Sequence, residues 1–263
     1  MKFIKSNVEI IPQEDGLLGV YKQIEKAGRT CYKSEDKITD DSCTEFVDRM
    51  IKSGHTATLE HGTIYLNIPA LLEVDDLIGF NTLINNPYTE HVFLNSHLVT
   101  TNYRVLIENG LIAFLKYMCE PLGQHPKRVT VKFTCDRGVS HELVRHRKFS
   151  FCQESTRYCN YTKDKFGNEL TYIIPSWLEN TNDSVKRLFL DSLSTAENRY
   201  MEMLDNGCKA QEARAILPNA LKTEVVMTGF VDDWKHFFEL RCAPNAHPDM
   251  RKLANKLREI IID

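Results

Sequence analysis

Phe3 to Ile11 reads as a strand, and the apolar residues Leu17, Val20, Tyr21 and Ile24 fall at helical spacing within Leu17 to Arg29. Phe46, Val47, Met50 and Ile51 repeat that spacing. Asp41 or Ser42 stands at the N-cap of this second helix, and Gly54 lies just past its end, where a left-handed residue stops it. Thr63–Ile68 and Arg128–Thr134 alternate with period two and are rich in branched and aromatic residues, so they are expected as two strands of one half-buried sheet. Between them, from about Pro69 to Lys127, a turn at Asn85-Asn86-Pro87 and a helix over Asn102 to Cys119 read as an elaboration inserted between strands. A long helix capped by Asn182 or Asp183 carries Val185, Leu188, Phe189, Leu193, Ala196, Tyr200 and Met203 at a 3.6 period, stops near Gly207, and is expected to pack on the sheet. Lys209–Leu217 is a short helix ended by Pro218, Thr223–Thr228 a strand, and Asp232–Arg241 a helix. Pro248 opens a terminal helix running to about Ile262. With no internal repeat, residues 1–263 are expected to form a single α+β domain, an antiparallel sheet with long helices packed against it.

Composition narrows the picture. In 263 residues, 42% are apolar and 26% charged, which excludes disordered and collagen-like chains. A formal net charge of −3 gives no chain-wide attraction for nucleic acid or an anionic membrane, so any anion binding must be local. Apolar runs such as Leu111–Leu115 fall far short of the roughly 20 residues of a membrane span, and Met1–Glu9 lacks the apolar stretch of a secretory signal. A cytoplasmic location is expected. The eight cysteines form no Cys-x-x-Cys pair and are expected as free thiols, mostly buried.

The chemistry is concentrated in residues 137–158, where five Arg/Lys face two Glu in an otherwise acidic chain. Arginine offers a planar fork of donors matched to phosphate oxygens, and Ser155 and Thr156 add hydroxyl groups, so the natural partner is a phosphorylated small molecule. A solvated basic face explains the same composition without any ligand.

Arg145-His146-Arg147-x7-Ser155-x-Arg157-Tyr158 fixes six positions in fourteen and resembles the signature of the flavin-dependent thymidylate synthases. His55-x4-Glu60-His61 upstream, and Arg214-x2-Leu217-Pro218 and Glu239-Leu240-Arg241 downstream, follow in the order of that family. The resemblance spans nearly the whole chain except about 69–127, to which it assigns no role. It implies one catalytic domain and an enzyme that methylates dUMP to dTMP, with methylenetetrahydrofolate as carbon donor, NADPH as reductant and FAD as hydride relay, in a homotetramer with shared active sites. It places Glu142, Arg145, Gln153, Glu154, Ser155, Thr156, Arg157 and Arg214 around dUMP. Arg241 would be the catalytic residue that holds and polarises the uracil. His55, Glu60, Arg145, His146, Arg147 and His236 would contact FAD. The chain departs from the family at Phe230-Val231-Asp232, where many members offer Asn and Arg to FAD, at Asn245, and at Cys31 in place of a Ser.

Other chemistries are weighed on the same residues. His55, Glu60 and His61 carry metal-ligand atoms, but no further pair at ligand spacing completes a set, so no metal is expected. Cys152 and Cys159 lie near Arg and His in sequence, as a nucleophile would, whereas the Arg-rich segment is already explained by nucleotide binding. No Gly-x-Ser-x-Gly elbow surrounds Ser155, and no Gly-x4-Gly-Lys-Ser/Thr loop is present for phosphotransfer. The alternative function is an RNA- or single-stranded-DNA-binding module in which Phe149, Phe151 and Tyr158 stack on bases between the arginines of 145–158. The acidic net charge argues against nucleic acid as a partner.

Overall fold

The computed structural model describes residues 1–261. The opening run divides at Lys5-Ser6 into β1 (Lys2–Ile4) and β2 (Asn7–Ile10), which join different sheets. There follow α1 (Gly16–Tyr32), α2 (Ser42–Lys52), a 3₁₀ segment Thr56–His61, β3 (Thr63–Pro69), α3 (Val74–Ile84), β4 (Glu90–Phe93), β5 (Ser96–Asn102) and α4 (Tyr103–Glu108). The second half holds β6 (Arg128–Asp136), α5 (Arg137–Leu143), β7 (Ser150–Gln153), β8 (Thr171–Ile173), α6 (Asp183–Asp205), α7 (Ala210–Ala213), β9 (Lys222–Phe230), α8 (Val231–Arg241) and α9 (Pro248–Ile261).

The fold is mixed helix and sheet. β2-β6-β9-β7 form a four-stranded antiparallel sheet, β3-β5-β4 a three-stranded antiparallel sheet, and β1 and β8 a parallel pair. The expectation that Thr63–Ile68 and Arg128–Thr134 share one sheet is therefore corrected. β3 pairs along its whole length with β5, Thr63 opposite Asn102 and Pro69 opposite Ser96, so residues 69–127 complete the sheet that β3 begins. The alternation of the two segments was real, but period two reports a half-buried strand and not its partner.

Each sheet has its own core. Val131, Phe133, Val225 and Met227 of the four-stranded sheet pack with Trp234, Phe237, Leu253 and Leu257 of α8 and α9. Val20, Ile24, Phe46, Ile64, Leu66, Val99, Leu106 and Phe114 join α1, α2 and the three-stranded sheet. Helix α6 packs through Leu193 and Tyr200 on Tyr172 of β8, not on either larger sheet. The helix expected over Asn102–Cys119 is broken. Gly110 takes φ 68° and the Leu111 N–H reaches back to the Leu106 carbonyl, a left-handed stop that ends α4 before a 3₁₀ segment at Ile112–Tyr117. The same device ends α2, with Gly54 at φ 71° and the His55 N–H on the Met50 carbonyl.

Candidate active site

Trp234, Phe237 and Phe238 form the buried stripe of α8, and Arg241 is the next residue on that stripe at i, i+3, i+4, i+7 spacing. It also ends the helix, where a cation is favoured by the backbone dipole. This placement brings Arg241 against α5 and the Val144–Lys148 turn. α5 is fixed in turn by Asp136, whose side chain accepts the Val139 N–H at 2.8 Å. Arg241 donates from Nε to His146 Nε2 at 2.9 Å, from one terminal nitrogen to the Glu142 carboxylate at 2.6 Å, and from the other to the Glu142 carbonyl at 2.9 Å. Guanidinium nitrogens only donate, so His146 Nε2 must be the bare nitrogen of its ring. Burial, with the charge of Arg241 beside it, lowers His146 to about 4 and keeps it neutral. Three of the five Arg241 N–H groups are engaged and two remain. Beside this cluster a cavity of about 290 Å³ is lined by Arg145, His146, Arg147, Lys148, His236 and Arg241 among others.

The second part of the motif lies at the end of β7. Gln153 Nε2 donates to Ser140 Oγ at 2.9 Å and Thr223 Oγ1 at 3.2 Å, which ties it to α5 and β9. Glu154 is buried, and its carboxylate accepts from Tyr161 OH at 3.0 Å and Lys222 Nζ at 2.8 Å. Lys222 also meets Glu224 at 3.0 Å. Burial alone would raise Glu224, but Lys222 and Lys33 hold it at about 2. Ser155 donates its N–H to the Cys31 carbonyl at 3.0 Å, while its own carbonyl accepts the N–H groups of Tyr158 and Cys159. Thr156 is buried in this tight turn. The Arg157 guanidinium is exposed and lies over the Tyr158 ring, 5.3 Å from its centroid. Tyr158 meets Tyr32, whose hydroxyl lies 3.4 Å from Nδ1 of exposed His55. Arg214 opens a 3₁₀ turn after α7 and is exposed. Among the described residues neither Arg157 nor Arg214 has a carboxylate partner.

Glu60 lies in a third place. Arg104 of α4 pairs with its carboxylate, and Arg104 also meets Glu108, four residues on, at 2.9 Å. The Glu60 carbonyl accepts from Arg128. Glu60, Arg104 and Glu108 line a polar cavity of about 380 Å³. A cavity of about 240 Å³ lies between it and the Arg241 cavity. It shares Arg147, Lys148 and Asp233 with the one and Tyr88 with the other. One chain thus presents Glu142, Arg145, His146, Arg147, His236 and Arg241 together, with Glu60 at the far end of the same run. Gln153–Arg157, with His55 nearby, and Arg214 line none of these three cavities.

The competing chemistries meet specific obstacles. His61 turns into the core, bonded to Thr228 Oγ1 at 2.8 Å and lowered to about 3 by burial and by Arg128, whereas His55 faces outward, so the two do not converge. The Cys31 contact and burial push the Cys152 thiol well up, and burial pushes Cys159 to about 12, the wrong direction for a nucleophile. All eight cysteines are free thiols. Phe149 is buried against Trp234 and Phe151 is half-buried, so the aromatic residues between the arginines offer no continuous stacking surface. Sequence reasoning missed Tyr88, Arg104, Tyr161 and Lys222. Arg104 carried one local signal, its i, i+4 spacing to Glu108.

Residues 124–263 match the family model described as thymidylate synthase complementing protein. The flavin-dependent thymidylate synthase of Geobacter sulfurreducens is 32% identical over 125 residues, 48% of this chain and 52% of that protein. That of Pyrococcus furiosus is 31% identical over 156 residues, 58% of this chain and 62% of its own length. That of Corynebacterium aurimucosum is 25% identical over 248 residues, 88% of this chain and 71% of its own. With the first two, the match spans between half and two thirds of the relative's length.

Proposed function

The chain belongs to the thymidylate synthase complementing protein family, and on that premise we propose that it is a flavin-dependent thymidylate synthase, converting dUMP to dTMP with methylenetetrahydrofolate, NADPH and FAD. The observation that carries this reading is the Arg241 cluster: a guanidinium held on three sides beside a neutral histidine, with two N–H groups left at the edge of a cavity. Donors held in advance of reaction stabilise developing charge without reorganising, which is what uracil activation at C5 requires. Arg241 would hold the uracil ring, with Glu142 and His146 fixing its angle. Ser155, Thr156, Arg157 and Arg214 would take the phosphate and sugar, since among the described residues these arginines have no carboxylate partner to displace. Gln153 and Glu154 brace that turn through Ser140, Thr223, Tyr161 and Lys222.

The run of three cavities fits a dinucleotide, elongated and polar, with Arg147 and Lys148 midway as counter-charges for phosphates. Arg145, His146, Arg147 and His236 would line the flavin end and Glu60 the other, whereas His55 lines none of the three cavities and would reach flavin only across a subunit boundary. FAD, when bound, carries hydride from NADPH to the methylene carbon. The separation of Arg157 and Arg214 from the Arg241 cavity within one chain supports sites completed by other subunits of a homotetramer. So does exposed apolar surface: Leu188 on α6, and Val74, Leu77 and Ile78 on α3, the last three at i, i+3, i+4 spacing. Among the described residues no helix is long and apolar enough to cross a membrane. We place the enzyme in the cytoplasm and take 1–263 as one catalytic domain.

Turnover in deuterated water tests the reading. Deuterium should appear in the dTMP methyl group, because the hydride passes through a carrier that exchanges with solvent, and folate should leave as tetrahydrofolate. Unlabelled dTMP with stoichiometric dihydrofolate would reject it.

A further inference from the structure

The far end of the cavity run is built mainly from residues 69–127, and this chain has Phe230-Val231-Asp232 where many members of the family offer Asn and Arg to FAD. We propose that segment 69–127 builds the subsite for the adenylate half of the dinucleotide, with Tyr88 as its stacking platform and Asn102 as a hydrogen-bond donor to the base edge. This rests on the FAD reading above and extends it to residues that the family resemblance leaves without a role.

Seven of the eight residues lining the far cavity belong to this segment, Glu60 being the exception. Tyr88 is 41% exposed, lines both the middle and the far cavity, and makes no aromatic pair among the described residues. Its backbone is nevertheless fixed: the Tyr88 N–H donates to Asn86 Oδ1 at 3.0 Å, and the Thr89 N–H to the Asn86 carbonyl at 3.0 Å. A ring held at its base, with no aromatic neighbour, is a platform for another flat ring. Phe230 cannot serve, since it is buried with the Arg128 guanidinium 5.6 Å from its centroid.

Asn102 supplies the polar edge. Its Oδ1 accepts the Val105 N–H at 3.1 Å and so caps α4, which fixes the amide, while buried Nδ2 has no partner among the described residues. An unmet buried donor is unfavourable until something completes it, and an asparagine amide matches the acceptor and donor edge of adenine. The order along the run gives the direction. The reacting ring belongs at Arg241 and His146, the phosphates beside Arg147 and Lys148, and the base beyond them at Tyr88. Glu60 is held at the same end by Arg104, again from the segment.

Flavin is stripped from the full chain, and FAD, FMN and ADP are titrated onto wild type, Tyr88→Ala and Tyr88→Phe by calorimetry. Loss of base stacking in Tyr88→Ala should raise the dissociation constants of FAD and ADP by about five- to a hundredfold. FMN, which has no adenylate, should behave as with wild type, and Tyr88→Phe should retain the affinity for FAD and ADP. An equal loss for FMN, or an ADP constant unchanged in Tyr88→Ala, overturns the subsite. A wild-type chain that takes up no FAD overturns the reading beneath it, and the subsite with it.

Discussion

Arg241 and Arg157 carry the same guanidinium and sit in opposite circumstances. Arg241 has three N–H groups on His146 and Glu142 and is largely withdrawn from solvent, while Arg157 lies exposed over Tyr158 with no carboxylate partner among the described residues. The first is a finished piece of machinery, positioned before any ligand arrives. The second is an open electrostatic socket whose geometry a phosphate must complete. A positioned donor matters most to the reaction step, and an open one most to binding, so the two should separate kinetically.

The largest expected effect tests the first side. Arg241→Ala should slow methyl transfer by about 10²–10³, the size of a lost preorganised donor, while flavin reduction by NADPH stays close to wild type in single-turnover absorbance. If both steps fall equally, Arg241 acts by holding His146 and α5 in place, and the contrast dissolves. Arg157→Lys should next raise the dUMP dissociation constant by about ten- to a hundredfold, since a point charge cannot reproduce a forked contact, with turnover at saturation less affected. Unchanged affinity in calorimetry removes Arg157 from the phosphate site.

Acid should reach the Arg241 side through His146 and the core beside it through His61. His146 is lowered to about 4 and His61 to about 3 from 6.5, so as pH falls the unfolded chain takes up these protons first. The stability they contribute is complete near pH 7 and is lost progressively from about 6.5 downward. Each ring should account for about 2 kcal/mol between pH 7 and 5. Urea titrations at the two pH values measure the sum, and His146→Asn should lessen the slope; an unchanged slope removes His146 from the account. Smallest of all, Cys152→Ala should retain turnover, because a thiol raised by its Cys31 contact and by burial contributes packing and not chemistry. Loss of activity in a folded, flavin-loaded Cys152→Ala protein would restore the thiol reading.

What was legible in the sequence was what the chain encodes locally. Asn182 caps α6 by accepting the Val185 N–H on its own side chain, Gly54 stops α2, and the motif from Arg145 to Tyr158 is contained in fourteen consecutive residues. The partnering was not legible. β5 is the central strand of its sheet and buries Leu98 through Asn102 consecutively, Thr100, Thr101 and Asn102 among them, so neither alternation nor an apolar run marks it. Glu60 and Arg104 meet across 44 residues, and nothing local to either forecasts the pair. The motif likewise could not show its own division, since Arg145 and Arg157 are twelve positions apart yet face different surroundings.

The two larger sheets also differ in the span of chain each needs. The three-stranded sheet draws its strands from Thr63 to Asn102, whereas β6 pairs on one side with Asn7–Ile10 and on the other with Lys222–Phe230. During synthesis the first can close while much of the chain is still inside or behind the ribosome, and the second must wait for residue 230. Until then β6 holds an unpaired edge, and Glu142 and His146 wait for Arg241. Ribosome-stalled chains ending near residue 200 should protect the 63–102 amides from exchange and leave open those of 128–136 that face β9. A pause in that interval is when the nascent protein is most exposed to misassembly through its β6 edge.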